Sequence, residues 1–92
     1  MRNMVAFHHR NGAALHWTRS FLRSAIPVIA DWVECDEDDI DIEDFYLSDD
    51  EYVEAVFDRG DLIGFINEPF TDELAARVNA ARSPMLLSIA AE

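Results

Sequence analysis

An α+β fold, a small antiparallel β-sheet packed with two or three helices, is what three features of this 92-residue sequence predict. Isoleucines alternate with acids around residues 40 to 42. Residue pairs suited to tight hairpins stand at Asn11-Gly12 and Arg59-Gly60, and Thr71 opens an Ala-rich stretch of helical periodicity. The length supports one modest core, so residues 1-92 are read as a single acidic domain. Half of the residues are apolar, which separates the chain from disordered sequences of similar charge.

In MVAFHHRNGAALHW, Asn11-Gly12 lies between mostly apolar flanks and suits a two-residue type I′ turn, whose two central residues both need positive φ. That N-terminal hairpin would set Phe7 opposite His16 and Ala6 opposite Trp17. Leu15, Leu22, Ile26, Ile29 and Trp32 also recur at helical spacing, so strand is expected to give way to helix near Thr18. Pro27 fits the first turn of a short helix capped by Ser24 or a neighbour.

A β-meander is expected over about residues 39-66. Ile40 and Ile42 alternate with Asp39, Asp41 and Glu43, the pattern of a strand with one dry and one wet face. EYVEAVFDRGDLIGFIN then folds as a hairpin about Arg59-Gly60, with Phe57 opposite Leu62, Ala55 opposite Gly64 and Val53 opposite Ile66. Phe45, Tyr52 and Phe65 would share the second sheet face with Glu43 and Glu54. A helix over residues 49-59 competes, because Ser48 and Glu51 form a capping box and Gly60 a C-cap. The β-branched and aromatic content favours the strands.

Pro69 closes the sheet region. Thr71 is the N-cap of a helix with Asp72 and Glu73 in its first turn and Leu74 and Val78 on its buried face. Ser83-Pro84 is expected to break it, leaving MLLSIAA as a short apolar tail, either a further helical turn or a docked strand.

The charge is unevenly placed. Net charge is −12, yet residues 1 to 30 carry Arg2, Arg10, Arg19 and Arg23 and no acid, while residues 31 to 51 hold twelve carboxylates and no base. Either the basic segment folds back on the acidic one, which is the default, or each meets a different partner. Cys35 is the only cysteine, so no internal disulfide exists. A reducing, cytoplasmic location is expected for it, and the acids around it would raise its pKa. AIPVIA stops at Asp31, so no apolar run reaches membrane length and no membrane partner is expected.

Chemistry has little foothold. An EF-hand frame from Asp36 puts Ile40 at the fifth position and Asp41 where Gly is needed; from Asp39, Asp44 falls at that place and Asp50 at the closing Glu. His9 and His16 would share a face of the hairpin, but two histidines do not make a zinc site, and no metal or cofactor is expected. Asp58 and Asp61 oppose each other across the Arg59-Gly60 turn and could form an acid/base pair, though exposed turn carboxylates are the plainer reading. No nucleophile, phosphate-loop or dinucleotide motif is present, so the chain is read as no enzyme. Direct nucleic-acid binding is excluded by the repulsion between this charge and phosphate.

What remains is an acid array: Asp36, Asp38, Asp39, Asp41, Glu43, Asp44, Asp49, Asp50, Glu51, Glu54, Asp58 and Asp61 as candidate partner-binding residues. In a strand, Asp39, Asp41 and Glu43 would form a row of charge spaced by roughly 6.6 Å. In size and charge the chain resembles the small acidic DNA-mimic inhibitors with which phages and mobile elements block restriction and CRISPR effectors. That resemblance is compositional, and it implies a basic, nucleic-acid-binding protein as partner. The alternative is a small oligomerisation, antitoxin or immunity-type module whose basic segment meets the acidic segment of a neighbouring copy.

Overall fold

Val5, Phe7, Leu15 and Trp17 must all reach one core, and that requirement organises the first half of the chain. In the computed structural model, residues 3-19 and 25-90 are described, with side chains placed for 4-18 and 25-82. The elements are β1 (Asn3–His9), β2 (Ala14–Arg19), α1 (Ala25–Val33), a 3-10 turn (Glu37–Asp39), β3 (Ile40–Ser48), β4 (Glu51–Asp58), β5 (Asp61–Ile66) and α2 (Asp72–Ala90). All strand pairs are antiparallel, in one sheet of order β2-β1-β5-β4-β3. The fold is therefore α+β, with two helices among the described residues. No described helix is long and apolar enough to cross a membrane.

The first hairpin departs from the two-residue turn expected of Asn11-Gly12. Val5 pairs with Trp17, Ala6 with His16 and Phe7 with Leu15, one residue out of the expected register. The loop holds three residues: Gly12 donates its N–H to the His9 carbonyl (3.0 Å), His9 donates to Ala13 (2.9 Å), and within the loop only Gly12 takes positive φ, at 95°. This is a type I turn followed by a left-handed glycine. A one-residue slip flips every side chain of a strand. The shorter turn would have put His16 beside Phe7; the longer one puts Leu15 and Trp17 on the Val5–Phe7 face, where they pack against the core.

Strand persists to Arg19 rather than yielding to helix near Thr18, and Leu22 and Ser24 lie outside the described residues. Pro27 occupies the first turn of α1 as expected. The helix ends with Glu34 at φ 60° and Cys35 donating to the Ala30 carbonyl at 3.0 Å, the closing geometry usually given to glycine.

Residues 51-58 are strand, not helix. Ser48 and Glu51, the candidate capping box, instead flank the Asp49-Asp50 turn, where the Ser48 hydroxyl lies 3.1 Å from Asp50 Oδ1 and 3.2 Å from Glu51 Oε1. Arg59 (φ 52°) and Gly60 (φ 88°) make the tight turn between β4 and β5, both centres positive. Phe57 pairs with Leu62 as expected. A bulge at Ile63 then shifts the ladder to Val56–Gly64, Ala55–Phe65 and Glu54–Ile66, replacing the expected Ala55–Gly64 and Val53–Ile66 pairs.

That extra residue sorts the two cores. Ile63 and Ile66 join Val5, Phe7, Ile40 and Val56 beneath Ile29 and Ala30 of α1. Phe65 turns to the opposite face with Val53, Ala55 and Phe57, under Val78 and Leu74 of α2. Phe45 packs there too, while Tyr52 points to the α1 side, so the three aromatics expected on one face are split between two. The start of α2 follows the sequence: Thr71 Oγ1 accepts the Leu74 N–H at 3.1 Å, and Asp72 and Glu73 fill the first turn. Ser83-Pro84 does not end it. Proline's fixed φ is helical, and the helix gives up one backbone hydrogen bond there, a cost of about 3 kcal/mol, rather than stopping.

Gly64 sits where β5 meets β1. A Cβ there would collide with the His8 carbonyl oxygen and the Phe7 ring. Gly64→Ala is expected to lower unfolding free energy by about 2–3 kcal/mol, read from denaturant midpoints, through overpacking against backbone that cannot move aside. A loss under about 0.5 kcal/mol, the range of neutral surface changes, would show that the strand junction is not close-packed.

Candidate acidic interface

Among the described residues strand β3 is a sheet edge, with no strand on its outer side, and its acids Asp41, Glu43 and Asp44 are exposed. Asp36, Glu37, Asp38, Asp41, Glu43, Asp44, Asp49 and Asp50 are exposed along it, from the 3-10 turn to the β3–β4 turn. Alternation distributes them: Asp41 and Glu43 share the α2 face, opposite Phe57 and Ala55, whereas Asp44 lies on the α1 face, opposite Glu54. The result is a ridge with charge on both flanks rather than a single row. Glu37, absent from the candidates read from the sequence, belongs to it by position.

Four candidates are set apart from the ridge. Asp39 closes the 3-10 turn instead of joining the strand, and Arg59 holds it through Nε–Oδ2 at 3.2 Å while donating its own N–H to the Asp39 carbonyl at 2.9 Å. The expected Asp39–Asp41–Glu43 row thus begins at Asp41. Glu51 is clamped to α2 by Arg77, which donates two bonds of 2.8 and 3.1 Å, and this fork holds the Glu51 carboxyl below its usual range. Asp58 and Asp61 pair across the Arg59-Gly60 turn; Asp58 is half-buried, with Oδ1 buried and lacking a hydrogen-bond partner. Asp61 lines an open groove of about 480 Å³ with Arg10, Leu62, Phe70, Asp72 and Asn79. Arg10 is the only placed guanidinium of the basic N-terminal segment; it lines the same groove but forms no ion pair with the acids of residues 31 to 51 among the described residues, while Arg2, Arg23 and the Arg19 side chain lie outside them.

Next to Asp44 and Glu54 stands a rung of tyrosines. Tyr46 pairs with Tyr52, their ring centroids 5.0 Å apart, and both are exposed, Tyr46 by 77% and Tyr52 by 45%. Hydrogen bonding toward Asp44 first, then desolvation and the charges of Glu54 and Asp44, push the Tyr52 phenol up to about 12. Tyr46 escaped notice in the sequence because DFYLSDDEYV places both tyrosines near an acidic turn whose bulge, between Tyr46 and Ser48, decides which residues meet.

The remaining chemistry is sparse. Burial, then Asp58, Asp39 and Asp36, push the Cys35 thiol up, away from the reactive thiolate. The hairpin register turns His9 toward Phe7 and Trp32 and brings the His8 ring diagonally to the His16 ring instead, centroids 6.4 Å apart, so the His9–His16 pair does not form. Among the described residues no three ligating side chains converge on a point.

The Tyr52 hydrogen bond gives a pH prediction with a definite sign. Its folded pKa lies above the free value of about 10, so the bond's contribution to stability is complete below pH 10 and lost as pH rises toward 12. In a Tyr46→Phe background Tyr52 is the only phenol. Its phenolate absorbance should titrate near 12 and fall back toward about 10 when Asp44 is replaced by Ala; unchanged titration would mean that Asp44 does not hold the phenol.

Comparison with known proteins supplies no name: no family model, no curated protein and no solved structure matches the chain.

Proposed function

We propose that the chain is a non-enzymatic acidic binding protein that occupies the basic groove of a nucleic-acid-binding protein and so blocks it, in the manner of a DNA mimic directed at a restriction or CRISPR effector. The density of charge along β3 carries the reading. Eight exposed carboxylates stand from Asp36 to Asp50, five of them (Glu37, Asp38, Asp41, Glu43 and Asp44) on a 3-10 turn and a strand that together reach about 35 Å. That is one charge per roughly 7 Å, about twice the 3.4 Å per phosphate along a DNA strand, with Asp36, Asp49 and Asp50 adding charge at the two ends. A groove shaped and charged for that lattice meets a similar field here. Fixed backbone geometry supports the same reading, because a strand presents its charges already ordered, and less entropy is lost on binding than from a floppy acidic loop.

Capture from lysate of the native host, with nuclease added, is expected to retain a basic nucleic-acid-binding protein. That complex should weaken steeply with salt and should be displaced by DNA or RNA. Replacing Asp38, Asp41 and Glu43 together by Lys changes the ridge by six charges and should abolish capture while circular dichroism and thermal unfolding stay near wild type. Undiminished capture by that variant would refute the mimic.

A second reading, self-association, has both open sheet edges in its favour. Among the described residues β2 and β3 each leave one side unpaired, and the segment containing β2 is basic where β3 is acidic. Sedimentation separates the two: oligomers that dissolve as salt rises belong to this reading, and a monomer at all salt concentrations excludes it.

A further inference from the structure

The α1 helix covers its sheet face only as far as the Ile40, Ile42 and Val56 positions of β3 and β4. Beyond it the same face carries two further rungs, Asp44–Glu54 and Tyr46–Tyr52, with no described element above them. Both rungs are unfavourable as free surface. Like charges directly opposite on a sheet repel, and two of the three exposed large hydrophobic side chains among the described residues are these tyrosines. Arg59 and Arg77 are engaged elsewhere, with Asp39 and Glu51, and neither Asp44 nor Glu54 has an ion-pair partner among the described residues.

We infer that this uncovered rung seats an arginine side chain of the basic partner, its guanidinium stacked on the exposed Tyr46 ring and forked onto the Asp44 carboxylate, with Glu54 adding charge from the facing strand. The inference rests on the reading of the ridge as a partner surface and names the side chain it takes. The geometry is favourable because Asp44, exposed on the same face, stands on the rung next to Tyr46, so the carboxylate lies beside the ring that would stack. Charge complementarity chooses the occupant. Phosphate is repelled by Asp44 and Glu54, and an apolar partner would bury two unpaired carboxylates. Lysine supplies a compact charge that cannot fork, while the planar guanidinium both stacks and donates two parallel bonds. The opposite flank of β3, with Asp41 and Glu43, has Phe45 packed into the α2 core and offers no exposed ring.

The test uses the full chain with two probes of equal length, an oligo-arginine and an oligo-lysine peptide, titrated at low salt with tyrosine fluorescence and calorimetry. Oligo-arginine is expected to bind about tenfold tighter, the size of one desolvated cation–π contact combined with a bidentate carboxylate. Tyr46→Ala and Asp44→Ala should each erase that preference, and Tyr46→Phe, which keeps the ring, should preserve it. Asp41→Ala should weaken both peptides alike and leave their ratio unchanged. Equal affinity for the two peptides, falling together in every variant, would overturn the arginine seat while leaving the charged ridge intact as a partner surface. Failure of either peptide to bind at low salt would overturn the ridge itself. Dimerisation abolished by Tyr46→Ala would also overturn the inference, by making a second copy the occupant.

Discussion

The absence of a side chain at Gly64 is the constraint on which the sheet depends. The two hairpins join along β1 and β5, through the pairs Phe7–Ile66, His8–Phe65 and His9–Gly64. At that seam the Phe7 ring and the His8 carbonyl occupy the volume a Cβ would need. Asn67 extends the seam by one step, donating its N–H to the Ala6 carbonyl at 2.7 Å and accepting the Ala6 N–H on Oδ1 at 2.9 Å, from a left-handed conformation that asparagine tolerates. Arg10 adds a bond of 2.8 Å to the Ile63 carbonyl at the bulge. The bulge, the glycine and the asparagine therefore act together. The first turns the strand so that Gly64 faces Phe7, the second admits the close approach, and the third prolongs the hydrogen bonding as β5 ends.

From that seam the charged edge acquires its position. With β1 joined to β5, β3 has no further strand beside it among the described residues and becomes one of the two edges of this sheet. α1 bridges both hairpins on one face, and α2 covers the meander on the other. Neither helix reaches the Tyr46–Tyr52 rung on the α1 side. The Arg82 guanidinium, 4.2 Å above the Phe57 ring and 3.1 Å from the Gly60 carbonyl, ties α2 to the opposite end of β4. The basic residues placed on the meander side are thus spent holding turns and the helix, and the ridge itself keeps its charge.

Much of this was legible locally. The Thr71 cap, the Arg59-Gly60 turn and the alternation through Ile40 and Ile42 appear in the structure as the sequence implied, because each depends on neighbours within a few residues. What was illegible is a matter of single-residue offsets. Asn-Gly serves a two-residue loop and also a three-residue loop ending in a left-handed glycine, and only the need of Leu15 and Trp17 to join Phe7 decides between them. The bulge at Ile63 is equally silent in the sequence, since both registers of β5 bury apolar residues on each face. That offset moved Phe65 away from the candidate interface, and the bulge beyond Tyr46 aligned it with Tyr52 there. The acids were visible as a population, but which of them are already tied, Asp39 and Glu51 above all, follows from where Arg59 and Arg77 reach.

Salt acts on this molecule in two opposing ways. A net charge of −12 on a chain of 92 residues stores self-repulsion in the folded state, and screening relieves it, so the free protein gains stability as ionic strength rises. The same screening would weaken the proposed attraction to a basic groove. Exposed carboxylates on β3 also oppose edge-to-edge pairing with a like copy, since two such edges would bring acids into register. On the proposed reading, an edge that repels its own kind would need no separate device for partner choice, because the repulsion that costs stability in the free chain is what a basic partner would relieve on binding.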